Sequence, residues 1–243
     1  MKRFILSAVF AISCAIYPAS SVIAQVNYTR NLSDFDRVEV YGEVYCEISF
    51  ANKQSARVEG IGITSDDLEI KVEGQTLRIK LKPRIYNHVE VKVFLTYQKI
   101  REIKTAGAAV LVCADTIAGD KLAVDALTSS TIRLQVNLSN LELKAGQGAT
   151  IFAKGSAATL EAASGSKSII SAYGLEVEKA FASSTFGGML KLHPTEYLEA
   201  KASVGGTIYY LKSPKQIKVS ENLGGKVEEV SFDDETNAPD SLQ

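Results

Sequence analysis

Three aromatic residues, Phe152, Tyr209 and Tyr210, follow short runs of small residues. Rings repeated at one place in a chain suit stacking on the apolar faces of sugars. The hydroxyls of Thr131, Thr150, Ser168 and Thr207 fall beside them and would line up if the segments stack. A hydroxyl ladder is also a sufficient device for closing a structural corner, so the two uses stay open. Other chemistry finds less support. The two histidines, His88 and His193, lie far apart beside irregular stretches, read as surface residues, and show no spacing that would form a relay with serine and carboxylate. Asp66-Asp67, Asp115 with Asp120, and Asp233-Asp234-Glu235 match neither an EF-hand loop nor a calcium-binding glycine repeat, and read as solvated turn acids. The expected metal and cofactor content is therefore none. Arg133, Lys154, Lys191 and Glu228-Glu229 come mostly one per segment rather than as paired acids. A non-enzymatic interaction module follows, with a polysaccharide-active enzyme on the same scaffold as the alternative.

What must position these residues is a repeat between about Ile103 and Val230. Each copy is a small-residue run closed by an apolar anchor: Val110, Ile132, Ile151, Ile169, Met189, Ile208 and Val227, at intervals of 18 to 22 residues. Two places before the anchor stand Ala108, Ser130, Ala149, Lys167, Gly187, Gly206 and Gly225. A glycine-rich column once per copy is what a solenoid corner needs, because glycine reaches positive φ and lets backbones approach closely. Between corners Leu122, Val124, Leu141, Leu143, Leu160, Val177, Leu198 and Val219 supply the inward side chains. Asn-Gly and Asp-Gly hairpin signals are missing, which disfavours a β-sandwich. The expected fold is all-β: a single-domain β-solenoid, parallel and right-handed by crossover chirality, with a longer-stranded N-terminal portion.

From Phe35 to Phe50, and again through residues 68–81 and 89–95, apolar and polar residues alternate as in strands with one wet face. This half supplies either the first coils or a sheet that caps them. Lys2-Arg3, the apolar run from Phe4 to about Ile16 and Val22-Ile23-Ala24 predict a signal peptide over 1–24, hence export to the periplasm, outer surface or medium. Residues 25–34 are expected as a leader, 35–230 as the domain and 231–243 as a disordered acidic tail. A formal net charge of −1 disfavours nucleic acid, and no later apolar run is long enough for a spanning helix. Cys46 and Cys113, left after cleavage, read as core cysteines or as one disulfide.

The run Phe35-Asp36-Arg37-Val38-Glu39-Val40-Tyr41-Gly42, then Leu77-Arg78-Ile79, Ile103-Lys104-Thr105-Ala106-Gly107-Ala108 and Gly205-Gly206-Thr207-Ile208-Tyr209-Tyr210 resemble the auto-transporter adhesin family with a head GIN domain. The resemblance covers roughly Phe35 to Val230. It implies a secreted or surface protein of Bacteroidota-like bacteria with a β-helical domain, a largely undefined biochemical role and no catalytic residues; the expected function is an adhesin-like interaction module with a glycan or surface protein as partner. Thr128-Ser129-Ser130-Thr131, without glycine, and the aromatic at Thr185-Phe186 depart from the family pattern. No run of alternating ten-residue strands follows Val230, so a translocator barrel is not expected here.

Overall fold

The computed structural model describes residues 25–86, 88–212 and 214–231. The expected signal peptide and all but the first residue of the expected tail lie outside them. The strands are β1 (Gln25–Asn31), β2 (Arg37–Tyr41), β3 (Tyr45–Phe50), β4 (Ser55–Ile61), β5 (Leu68–Glu73), β6 (Thr76–Leu81), β7 (Glu90–Tyr97) and β8 (Glu102–Ala106). They continue as β9 (Val110–Ala126), β10 (Thr131–Ala145), β11 (Thr150–Ser164), β12 (Ile169–Ser184), β13 (Met189–Ser203), β14 (Thr207–Leu211), β15 (Gln216–Asn222) and β16 (Lys226–Val230). From β9 onward every pairing is parallel and joins one coil to the next, giving a β-solenoid of about seven turns.

Each long strand bends into two arms. Inward and outward residues alternate along the leading arm, slip at Asp120-Lys121, Ser139-Asn140, Ala158-Thr159, Glu178-Lys179 and Glu196-Tyr197, where two successive residues stay off the core, and resume along the trailing arm. The trailing arm ends in a four-residue turn whose two central residues both have positive φ: Thr128/Ser129, Gln147/Gly148, Ser166/Lys167, Phe186/Gly187, Val204/Gly205 and Leu223/Gly224. Amide-to-carbonyl bonds of 2.9–3.2 Å close them, as from Ser130 to Leu127 and from Gly206 to Ser203. These are type I′ turns, the geometry of two-residue hairpins, formed here without Asn-Gly or Asp-Gly. The turns also bond to one another: the amides of Ser129, Gly148, Lys167, Gly187 and Gly205 donate to Gln147, Ser166, Phe186, Val204 and Leu223 of the next turn.

The repeat is present, but its phase differs from the sequence reading at three coils. Register places Leu111, Ile132, Ile151, Ile170, Leu190 and Ile208 in one column, each with 0% exposure, continued by Val227. Val110, Ile169 and Met189 belong to the neighbouring, partly exposed column with Thr131, Thr150 and Thr207. In Val110-Leu111, Ile169-Ile170 and Met189-Leu190 two apolar residues adjoin, and the second, not the first, points inward. Rephased, the small column reads Ala109, Ser130, Ala149, Ser168, Gly188, Gly206 and Gly225, and Lys167 drops out of it. Gly206 shows why: a Cβ there would stand 2.3 Å from the Ser184 carbonyl oxygen. Ser168 is therefore a corner residue, not a rung of the threonine column; its hydroxyl donates to the Ala145 carbonyl at 2.7 Å.

The N-terminal half is both first coils and cap. Strand β2 pairs in parallel with β6 and β8, and β3 with β7 and β9. Beyond these, β4 runs antiparallel between β1 and β7, and β5 antiparallel to β6 across a turn at Gly74-Gln75. The segment expected as a leader thus supplies a strand over 25–31, because Val26 and Tyr28 alternate with polar neighbours and pack on the core. Buried Gln54 ties this end together, accepting from the Phe35 amide at 3.1 Å and donating to the Phe35 carbonyl at 2.7 Å.

Candidate functional site

The leading arms present one outward column: Val112, Arg133, Phe152, Ser171, Lys191, Tyr209 and Glu228. Phe152 and Tyr209 share it, separated by Ser171 and Lys191, hence three rungs or about 14 Å apart. Tyr210 does not join them. It falls on the inward parity beside Leu192 and packs on the core, where burial raises its phenol pKa. The Arg133 guanidinium lies 5.1 Å from the Phe152 ring centre, and the Lys191 ammonium 5.7 Å from that of Tyr173. Ser171, Lys191 and His193 are all buried. His193 is therefore not the surface residue the sequence suggested, whereas His88 is exposed.

The trailing arms carry a different lattice. One outward column reads Glu102, Ala123, Glu142, Glu161, Phe181, Glu199 and Lys218; the next reads Lys104, Asp125, Lys144, Ala163, Ser183, Lys201 and Ser220. Ion pairs within single arms link them: Lys104 to Glu102 and Lys201 to Glu199, each at 2.6 Å, and Lys144 to Glu142. The hydrogen bond from Lys144 holds the Glu142 carboxyl below its ordinary range, and Lys201 does the same for Glu199. At β11 and β12 the lysine is replaced by Ala163 and Ser183. A depression of about 430 Å³ results, walled by Lys144 and Lys201 and bordered by Glu161 and Phe181. Phe181 is 41% exposed and leans on Tyr197 with ring centres 5.8 Å apart. On its other side lies a second depression of about 470 Å³, lined in part by Tyr197, Glu196 and Lys215.

A third recess, of about 820 Å³, lies between residues 97–101 and residues 116–121 of β9, just past the place where β9 holds three residues, 113–115, against one of β10. Exposed Phe50 borders it, and its amide donates to Asp115 Oδ2 at 2.9 Å. Burial pushes the Tyr97 phenol and the Cys113 thiol up to about 12 each, and raises Cys46 further still. Both cysteines are free thiols held protonated at neutral pH, and so poor nucleophiles. Of the acids weighed as ligands, Asp115 caps β3, and Asp67 is buried against the Thr64 amide and Arg84. Among the described residues no group of three or more His, Cys, Asp or Glu side chains gathers as a metal site, and no helix is long and apolar enough to cross a membrane.

Phe181 escaped the sequence reading. The signal was there: in Ala180-Phe181-Ala182 the alanines take the inward positions, which turns the aromatic out. Locating that parity requires knowing that the alternation slips at Glu178-Lys179.

A parallel solenoid with two laddered outer faces, and with side chains committed to ion pairs and ring contacts, belongs to the repeat architectures in which each coil contacts only its neighbours. The family follows from the sequence: residues 34–214 match the family model described as "Putative auto-transporter adhesin, head GIN domain", and the chain belongs to that family. No curated protein matches it. Among solved structures it is similar to a putative adhesin from Bacteroides fragilis, with a TM-score of 0.77 at 17% identity over 85% of this chain and 97% of that one. A putative adhesin from Parabacteroides merdae gives 0.70 at 18% identity over 85% and 96%. A protein from Parabacteroides distasonis described as a putative lipid binding protein gives 0.67 at 19% over 85% and 96%. At these identities the likeness is one of fold.

Proposed function

We propose that this protein is an exported, adhesin-like recognition module that holds a surface glycan or protein against the outer faces of its solenoid and performs no covalent chemistry on it. The carrying observation is the outer lattice itself: charged side chains, with aromatics set among them, stand in columns whose rungs are about 4.8 Å apart on a backbone bonded to both neighbours. The family's name and the names of the two putative adhesins among the similar structures agree with such a role. A rigid ladder presents many weak contacts in fixed register, which suits a long polymer or a flat partner. Phe152 and Tyr209 are the aromatic contacts of the leading face; Tyr210, on the inward side, supports Leu192 and its neighbours.

The test is capture. The secreted chain, with its N-terminus sequenced to locate cleavage after Ala24, is offered to a glycan array and to bacterial and host cell surfaces before and after glycosidase or protease treatment. Saturable capture is expected. Failure to bind any surface, or conversion of a bound polysaccharide to shorter fragments, overturns the reading. Phe152→Ala and Tyr209→Ala are expected to weaken capture by the leading face; Tyr210→Ala is expected to lower stability instead.

A further inference from the structure

We infer that the depression beside Phe181 on the trailing face is a subsite for a neutral pyranose unit of an extended polysaccharide. The inference rests on the recognition reading above, in its glycan branch, and assigns it a place and a ligand class.

Four features converge there. In the column Lys104, Asp125, Lys144, Ala163, Ser183 and Lys201, the two consecutive small residues Ala163 and Ser183 leave the recess of about 430 Å³ between Lys144 and Lys201. Cavities of a few hundred Å³ are the size that small ligands fill. At its border the Phe181 ring, 41% exposed in a column otherwise mostly of carboxylates, is held in place by Tyr197. An exposed ring backed by a second ring is a platform for the C–H face of a sugar. One rung away, exposed Glu161 makes no ion pair among the described residues, so its oxygens are available to accept from sugar hydroxyls. Finally, Tyr197 donates to Glu199 Oε2 at 3.2 Å and Lys201 pairs with the same carboxylate, which fixes the lower wall.

The charges around the recess are already paired with one another. Glu142 pairs with Lys144 and, at 3.8 Å, with Lys121; Glu199 pairs with Lys201 and, at 3.6 Å, with Lys218; and Glu161 acts electrostatically on Lys144. A uronate or sulfate would have to compete with these carboxylates for the lysines; a neutral ring with hydroxyls would not. Geometry favours a polymer over a single sugar. Glu161, Phe181 and Glu199 succeed one another at about 4.8 Å, close to the advance of one unit in an extended polysaccharide.

Binding is measured by calorimetry with neutral oligosaccharides of glucose, galactose, mannose and N-acetylglucosamine, four to eight units long, and with uronate-containing oligomers as charge controls. Phe181→Ala and Ala163→Lys, the latter restoring the lysine that neighbouring coils carry, are each expected to weaken neutral-oligomer binding about tenfold or more. Phe181→Trp is expected to keep it, and circular dichroism melts show whether each variant is folded. Neutral-oligomer binding that survives both weakening substitutions, or that is lost only with Phe152→Ala or Tyr209→Ala, overturns the subsite and leaves the recognition reading standing. Preference for uronate oligomers, or capture of protein but no glycan, does the same. Absence of all capture removes both.

Discussion

The two ends of the solenoid solve one problem in opposite ways. At the N-terminal end antiparallel strands β1, β4 and β5 lie over the first coils, and buried Gln54 ties the chain there. At the C-terminal end β15 and β16 each have one neighbour among the described residues. Ile217 and Val219 continue the columns of Leu198 and Ala200, yet are 45% and 46% exposed where those two are 0%. What guards this edge is charge. Glu221 occupies the column of Ala202 and Glu229 that of Leu192 and Tyr210, so both continue interior columns in the last coil. Glu221 Oε1 also accepts the Val227 amide at 2.6 Å. Inward-pointing charge is a recognised way to stop one sheet edge from adding to another. One end is covered by strands; at the other, among the described residues, two interior columns end in carboxylates.

The comparison can be broken at several strengths. The largest effect is expected between the ends: Gly206→Ala forces a Cβ to within 2.3 Å of backbone bonded on both sides, and should cost on the order of 3 kcal/mol or more in urea unfolding. The same substitution at Gly225, equally close to Ala202 backbone but in the last coil, should cost clearly less because that coil can move. If both cost the same, the open end is as firmly held as the middle. Next comes the paired change Glu221→Val with Glu229→Leu, which should add end-associated species larger than those of the parent protein in sedimentation velocity. A variant that sediments like the parent would show that charge is not the guard.

At the covered end Gln54→Ala leaves the Phe35 amide and carbonyl without their partner, and a loss of about 2 kcal/mol is expected in the same unfolding assay. The smallest effect concerns pH. The hydrogen bond from the Thr64 amide, with lesser help from the Thr64 hydroxyl and Arg84, holds Asp67 below the ordinary carboxylate value. A depressed carboxyl adds stability above its unfolded pKa of about 3.9 and loses it as pH falls through the folded value. Asp67→Asn should therefore flatten the decline in unfolding midpoint below about pH 4, with little change in its slope above that.

Much of this architecture could be read from residue order alone. The period and the small-residue column were visible because a corner tolerates so few side chains. The phase was not, wherever two apolar residues adjoin, since Ile169 and Ile170 are chemically alike and only the pairing partner decides which is buried. An edge strand such as β1 shows two apolar residues among polar ones and so resembled a leader. Phe152 and Tyr209 were legible as outward aromatics, being a fixed step from the turn. Phe181 lay beyond the slip in alternation, where counting from the turn fails.

The ridge of linked turns has a consequence for size. Each turn bonds to the next in the same way, and both faces advance by one rung per coil. A coil could therefore be added between β10 and β11 without disturbing the cap or the guarded edge. The molecule would grow only in the direction along which its two faces run, lengthening both faces while leaving its girth unchanged. Its reach is thus set by how many times one short motif was copied, a quantity that gene duplication can adjust in whole steps.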